Sequence, residues 1–206
     1  MAQYTFDGDF SDSVGANNAA ALGNALIVTD QSRGQVLSLD GDDDAVDVPL
    51  IGETTEVTVC MWVNPTDIVT PSDWKSTFAN NGWAAGDIHW RILNNRINGG
   101  VNAVVPGGDL TGGGVVPYAQ WSHVAITLSP TQFAYWLNGY NDNTRTLDSA
   151  PTLFLGEGLI GAWMNGAVIE REWAGMIDDV RIYDRALSAA EMLWLAGNTK
   201  PIHRPF

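Results

Sequence analysis

The sequence predicts an all-β sandwich. Twenty-two glycines and nine prolines punctuate the chain, and the segments between them are short and rich in β-branched and aromatic residues. No run of helical periodicity alternates with those segments, which argues against a parallel α/β sheet. Strands are expected at 3–7, 25–28, 34–39, 45–48, 56–64, 75–79, 87–93, 96–105, 121–128, 132–138, 152–155, 159–163 and 174–183. The 206 residues contain no internal repeat and no linker rich enough to divide them, so 1–206 reads as a single domain with a proper core.

Charge narrows the partners. Ten Lys and Arg stand against 24 Asp and Glu, a net charge of −14, and only Lys75 and Lys200 are lysines. No polybasic patch exists, which excludes nucleic acid and argues against anionic membranes. No apolar run approaches the ~18 residues of a membrane span. Met1-Ala2-Gln3 leads straight into a strand-like Tyr4-Thr5-Phe6, so no signal peptide is read. The chain is then either cytosolic or a module of a longer secreted protein. A lone Cys60, flanked by strand-like Val59 and Met61, excludes an intrachain disulfide and reads as a buried thiol.

One hairpin can be registered from sequence. Asn94-Asn95 suits a two-residue turn because Asn tolerates positive φ. Pairing then sets Ile92 against Ile97, Trp90 against Gly99 and Ile88 against Val101 on one face. The other face carries Asp87, His89 and Arg91 beside Asn98 and Asn102. The apolar set is core; the polar set faces solvent or a ligand. Near the end of the chain, Ser188-Ala189-Ala190-Glu191 forms a capping-box pattern. With Leu187 stapled onto Met192 and Gly197 as a stop, it predicts a short C-terminal helix over 189–196 that covers a sandwich edge, sealed by Trp194.

Seven segments occur in an order that resembles a known family. They are Tyr4-Thr5-Phe6-Asp7-Gly8, Leu39-Asp40-Gly41, Val59-Cys60-Met61-Trp62-Val63-Asn64-Pro65, Trp121-Ser122-His123-Val124-Ala125, Trp136-Leu137-Asn138-Gly139, Ile160-Gly161-Ala162-Trp163 and the stretch from Gly175 through Asp178-Asp179 to Leu187. The whole resembles the laminin-G-like, concanavalin A-like jelly roll of bacterial secreted proteins. That resemblance implies a two-sheet antiparallel jelly-roll sandwich, often with a structural calcium and frequently with a carbohydrate site on the concave face. It suggests calcium ligands from Asp7, the Asp40-Gly41 turn and Asp178. The loop Asp40-Gly41-Asp42-Asp43-Asp44 offers hard oxygens suited to calcium, although Ala45 and Ile51 at its sixth and twelfth positions reject an EF-hand.

Catalytic signatures are missing. The three histidines, His89, His123 and His203, show no zinc spacing, and no Gly-x-Ser-x-Gly elbow exists. None of the six Glu residues lies in the Glu-x-Asp-x-Glu strand of the related glucanases, and Glu170-Arg171-Glu172 reads as a solvated strand end. Asp178 and Asp179, being adjacent, are expected on opposite strand faces.

Of nine tryptophans, Trp62, Trp90, Trp121 and Trp136 sit in strand patterns and read as packing, whereas Trp74, Trp83, Trp163 and Trp173 lie in or beside loops. The expectation is therefore a non-catalytic glycan-binding module of a larger extracellular protein, with its site formed by Trp83, Asp87, His89, Arg91, Asn98, Asn102 and Trp163. The competing reading is a protein-interaction or spacer domain with no sugar site.

Overall fold

In the computed structural model, which describes residues 1–66 and 74–198, two antiparallel sheets face each other across one core. The first sheet runs Tyr140–Thr146, Gln132–Leu137, Ser122–Leu128, Val57–Pro65, Ala174–Tyr183, Gly34–Asp40, Leu26–Asp30, with Ala2–Tyr4 also paired to Ala174–Tyr183. The second runs Leu110–Thr111, Arg96–Val101, Ile88–Leu93, Lys75–Asn80, Gly158–Ile160, Ala45–Val48, Ala20–Leu22. This is the jelly-roll sandwich expected from the resemblance. His203 and Lys200 lie outside the described residues.

Alternation places the core. Val59, Met61 and Val63 of one sheet and Ile88, Trp90 and Ile92 of the other are all buried in the same cluster. Burying side chains of this size contributes roughly 1.5–3 kcal/mol each. The Tyr135 hydroxyl crosses between the sheets to donate to the Gly99 carbonyl at 2.6 Å. Gly99, at φ +130°, faces Trp90, and a Cβ there would collide with the His89 carbonyl. Only glycine permits that approach.

The hairpin has the expected register: Ile92 pairs with Ile97, Trp90 with Gly99 and Ile88 with Val101. Asn94 and Asn95 both hold positive φ, at 52° and 59°, as a type I′ turn requires. The helix spans Ala189–Leu195, and its capping box is formed: Ser188 accepts from the Glu191 amide while Glu191 accepts from the Ser188 amide. Leu187 and Met192 pack on Cys60 and Ala125, so the helix covers the outer face of the first sheet. Burial raises the Cys60 thiol to about 12, which leaves it inert. Trp194 corrects the expectation of an edge seal: it is 59% exposed, because Met192 already fills the contact.

Five strands lie wholly outside the expected ranges. The longest is Tyr140–Thr146, an edge strand whose residues are half-exposed or exposed throughout, so it carries no apolar alternation.

Candidate functional site

On the face of the second sheet turned away from the core, loop tryptophans close over the polar side of the hairpin. Asp87, His89, Arg91 and Asn98 lie there as the register requires, yet all four are buried. The loops cover this face, and of the four only Arg91 reaches the cleft that opens between them.

Asp87 and the half-buried Asn102 hold a loop in place. Asp87 accepts from the Ala84 amide at 2.5 Å, and Asn102 donates to the Trp83 carbonyl at 2.7 Å. Together they fix the turn that projects Trp83. Burial, opposed by the Ala84 hydrogen bond, raises the Asp87 carboxyl above its ordinary range. Asn98 donates to the Leu110 carbonyl and to Thr111 Oγ1, tying the hairpin to its neighbouring strand. Asp87, Asn98 and Asn102 thus hold the scaffold, and none of the three lines that cleft.

His89 lies deeper. Its ring sits 4.1 Å from that of Trp83 and 5.2 Å from that of Trp163, both edge to face. Burial first, then the Arg171 and Arg91 guanidiniums, lower its pKa to about 3, so the imidazole is neutral. The Gly82 carbonyl pulls weakly the other way, but it already accepts the Trp163 indole N–H at 2.9 Å. That hydrogen bond pins Trp163, which is only 7% exposed and serves as a wall.

The outcome is a cleft of about 460 Å³ lined by Trp74, Trp83, Trp163, Arg91, Arg171 and Asp109, with Gly108 at its margin. Trp83 is 53% exposed and Trp74 39%. Arg91 pairs with Asp109, and its guanidinium lies over the Trp74 ring at 4.4 Å. Arg171 bridges the two walls, 4.6 Å from the Trp74 ring and 4.0 Å from the Trp163 ring. Such a cleft offers flat apolar surfaces edged by fixed hydrogen-bond donors, the requirement for holding a sugar ring.

Sequence reasoning singled out Trp83, Trp163, His89 and Arg91, and placed Trp74 among the loop tryptophans. It missed Asp109 and Arg171. Arg171, between two glutamates, read as solvated; its left-handed backbone, φ +62°, turns it back over the tryptophans. No signal in the sequence marks Asp109.

The expected calcium ligands do not assemble. Asp40 pairs with Ala174, whereas Asp178 lies four residues further along the same strand, about 13 Å away at ~3.3 Å per residue. Asp178 instead holds the Arg33 guanidinium at 2.6 Å and accepts the Asp179 amide. Asp7, Arg33, Asp178, Asp179 and Arg181 share one small pocket, which already contains two cations. Asp178 and Asp179 do not point apart, as adjacency suggested. A bulge with Asp179 at φ +48° brings both carboxylates to that pocket.

The acidic turn groups differently from expectation. Carboxylate oxygens of Asp40, Asp43 and Asp44 lie within 4.8 Å of one another, while Gly41, at φ +88°, makes the turn where a Cβ would meet the Ala174 methyl. The buried Asp44 accepts from the Asn24 and Asp40 amides at 2.5 and 3.0 Å, so it organises the turn by itself. Each oxygen retains a further lone pair, and this donor set fits a hard cation.

A family model described as Concanavalin A-like lectin/glucanases superfamily matches residues 40–192. No curated protein matches the chain. Among solved structures, domain 4 of AbnA, a GH43 extracellular arabinanase from Geobacillus stearothermophilus in complex with arabinotriose, is 21% identical, with TM-score 0.66, covering 95% of this chain and 97% of that one. The binding domain of Paraclostridial Mosquitocidal Protein 1 is 12% identical, with TM-score 0.70, covering 95% of this chain and 51% of that one. The Botulinum Neurotoxin serotype G binding domain is likewise 12% identical, with TM-score 0.72, and the chain spans about half its length, 50%. At these identities the likeness is one of fold. Among the described residues no helix is long and apolar enough to cross a membrane.

Proposed function

The chain belongs to the Concanavalin A-like lectin/glucanases superfamily, and from that premise we propose that it is a non-catalytic carbohydrate-binding module. The observation that carries this reading is the cleft in which exposed Trp74 and Trp83 flank Arg91, Asp109 and Arg171. A pyranose or furanose presents an apolar CH face to an indole while its hydroxyls meet the guanidiniums and the carboxylate. The arabinotriose complex of the arabinanase domain supports a glycan as the ligand class. As in that extracellular enzyme, the module belongs with other domains of a secreted or cell-surface protein.

Chemistry on the glycan is disfavoured by the lining. Glycoside hydrolysis ordinarily needs two carboxylates, about 5–5.5 Å apart in retaining enzymes and about 6.5–9.5 Å in inverting ones. Among the described lining residues Asp109 is the single carboxylate, and Arg91 already holds it. Shallow sites of this kind bind in the micromolar to millimolar range, about −8 to −4 kcal/mol.

The test is a glycan array probed with the wild-type chain and Trp83→Ala. The wild type is expected to bind oligosaccharides, and Trp83→Ala to weaken the best hit at least tenfold, about 1.4 kcal/mol, in a chain that still melts cooperatively. Binding untouched by Trp83→Ala would place the site elsewhere.

A structural calcium is proposed at Asp40, Asp43 and Asp44, where three carboxylates at one turn repel each other and a divalent cation would relieve them. Because Asp44 organises the turn without it, the ion adds to this corner of the fold and does not create it.

A further inference from the structure

We infer that the cleft is selective for acidic glycans, seating the carboxylate of a uronic or sialic acid residue against Arg171 and Arg91 while Trp83 stacks on a sugar ring. This inference rests on the glycan-binding reading and specifies its substrate class.

The charge count inside the cleft carries it. Two guanidiniums, Arg91 and Arg171, both lie within 4.6 Å of the Trp74 ring centre, and the lining supplies one carboxylate, Asp109. Arg91 takes that carboxylate. Arg171 forms no ion pair among the described residues, although Arg33, Arg181 and Arg185 each form one. Among the described residues Arg171 is thus a half-buried cation beside a second cation, with Glu170 and Asp109 acting on it only at longer range, an expensive arrangement for a fold to keep. Burial, together with repulsion from Arg91 and only partly opposed by Glu170 and Asp109, lowers Arg171 to about 10, so it remains charged at neutral pH.

Geometry favours a carboxylate as the missing partner. A guanidinium is a planar fork that matches a carboxylate with two parallel N–H bonds. Arg171 is sandwiched against Trp74 and Trp163, which fixes the plane of that fork before any ligand arrives. The neutral His89 beneath Trp83 adds no competing charge. The chain's net charge of −14 opposes approach only weakly. With a Debye length of about 8 Å at physiological salt, distant carboxylates are screened while the two arginines in contact are not.

The experiment is an array of matched acidic and neutral oligosaccharides, followed by titration calorimetry on trigalacturonate and 3′-sialyllactose. Their carboxyl-reduced form and lactose, respectively, serve as neutral partners. The expected result is at least tenfold tighter binding of the acidic member of a pair. Arg171→Gln should bring the two members within about threefold of each other, because the acidic member loses far more affinity than the neutral one. Arg171→Lys, which keeps the charge and loses the fork, should cost at least threefold of the preference, and it serves if the Gln variant melts early. Neutral glycans bound through Trp83 with no acidic preference would overturn this inference and leave the glycan reading standing. A preference unchanged in Arg171→Gln, or hits confined to sulfated glycans without carboxylates, would overturn it as well. An array with no hits of either kind would overturn both.

Discussion

The two sheets use the same parts on their outer faces to different ends. On the first, Arg33 lies 4.3 Å over Trp62 and 5.3 Å from Trp121, with Asp178 bound to its guanidinium and the Trp121 indole donating to Asp30 at 3.2 Å. On the second, Arg171 lies between Trp74 and Trp163 with no carboxylate of its own among the described residues, and Trp83 stands open beside it. Arginine stacked on tryptophan is thus not in itself a binding feature. What separates the regions is whether the network is closed. The Arg33 network satisfies itself and holds the fold, whereas the Arg171 cleft leaves acceptor positions for a ligand.

Breaking the closed network should give the largest change in stability. Asp178→Ala leaves Arg33 without its counterion, and one partner of a buried pair typically costs about 3–5 kcal/mol to remove. Arg33 is one-fifth exposed, so solvent lowers that to about 2–3 kcal/mol, a fall in Tm of roughly 5–10 °C. Burial pushes the Asp178 carboxyl up while Arg33 pulls it down, so the pair itself contributes little in net. The double variant Arg33→Met with Asp178→Leu should therefore recover most of the loss in a thermal melt. A single variant that melts like wild type would show that the network is not holding the fold. Arg171→Gln, by contrast, should move binding and leave the melt in place.

Acid should loosen both regions together. His89 is held neutral with a pKa near 3 and His123, buried against Trp62, near 4, both below the ordinary value of 6.5. A depressed folded pKa means that their stabilisation is full above about pH 6.5 and is lost as pH falls towards 4 and 3. At pH 5 each should cost about 2 kcal/mol. Denaturant melts at pH 7 and pH 5 would measure this, and His89→Gln should remove roughly half of the difference. A His89→Gln variant with the same pH 7 to pH 5 difference as the wild type would contradict the burial of that ring.

Chelation should give the smallest effect. Excess chelator is expected to lower Tm by a few degrees, in line with about 1.4 kcal/mol for a site held at about ten times its Kd, and Asp43→Ala should abolish that sensitivity. A wild-type melt indifferent to chelator would remove calcium from the account.

Most of the sandwich was legible because its buried strands alternate. Ala45–Val48 and Ala174–Tyr183 have the expected bounds, and the hairpin register followed from Asn94-Asn95 and one clean apolar face. Tyr140–Thr146 was not legible because an exposed edge strand has no apolar face to reveal it. The site was half legible for a related reason. Period-2 alternation put His89 and Arg91 on one face, but their burial depends on loops arriving from far along the chain. The Trp163 indole meets the Gly82 carbonyl from 81 residues away, and Arg171 reaches Trp74 through a left-handed turn. Calcium ligands failed for the same kind of reason: the bulge at Asp179 and the salt bridge to Arg33 depend on pairings that local sequence does not encode.

The contrast between the open and the closed tryptophans can be read in one titration. In a nitrogen–proton NMR spectrum each of the nine tryptophans contributes an indole N–H signal, and single Trp→Phe variants assign them. During titration with the best array hit, the account predicts that the Trp74 and Trp83 signals move in a saturable way. The Trp121 signal, held on Asp30, and the Trp136 signal, held on Thr127 at 2.9 Å, should stay fixed. Saturable movement of Trp121 with Trp74 and Trp83 unmoved would put the ligand on the other sheet and contradict the account.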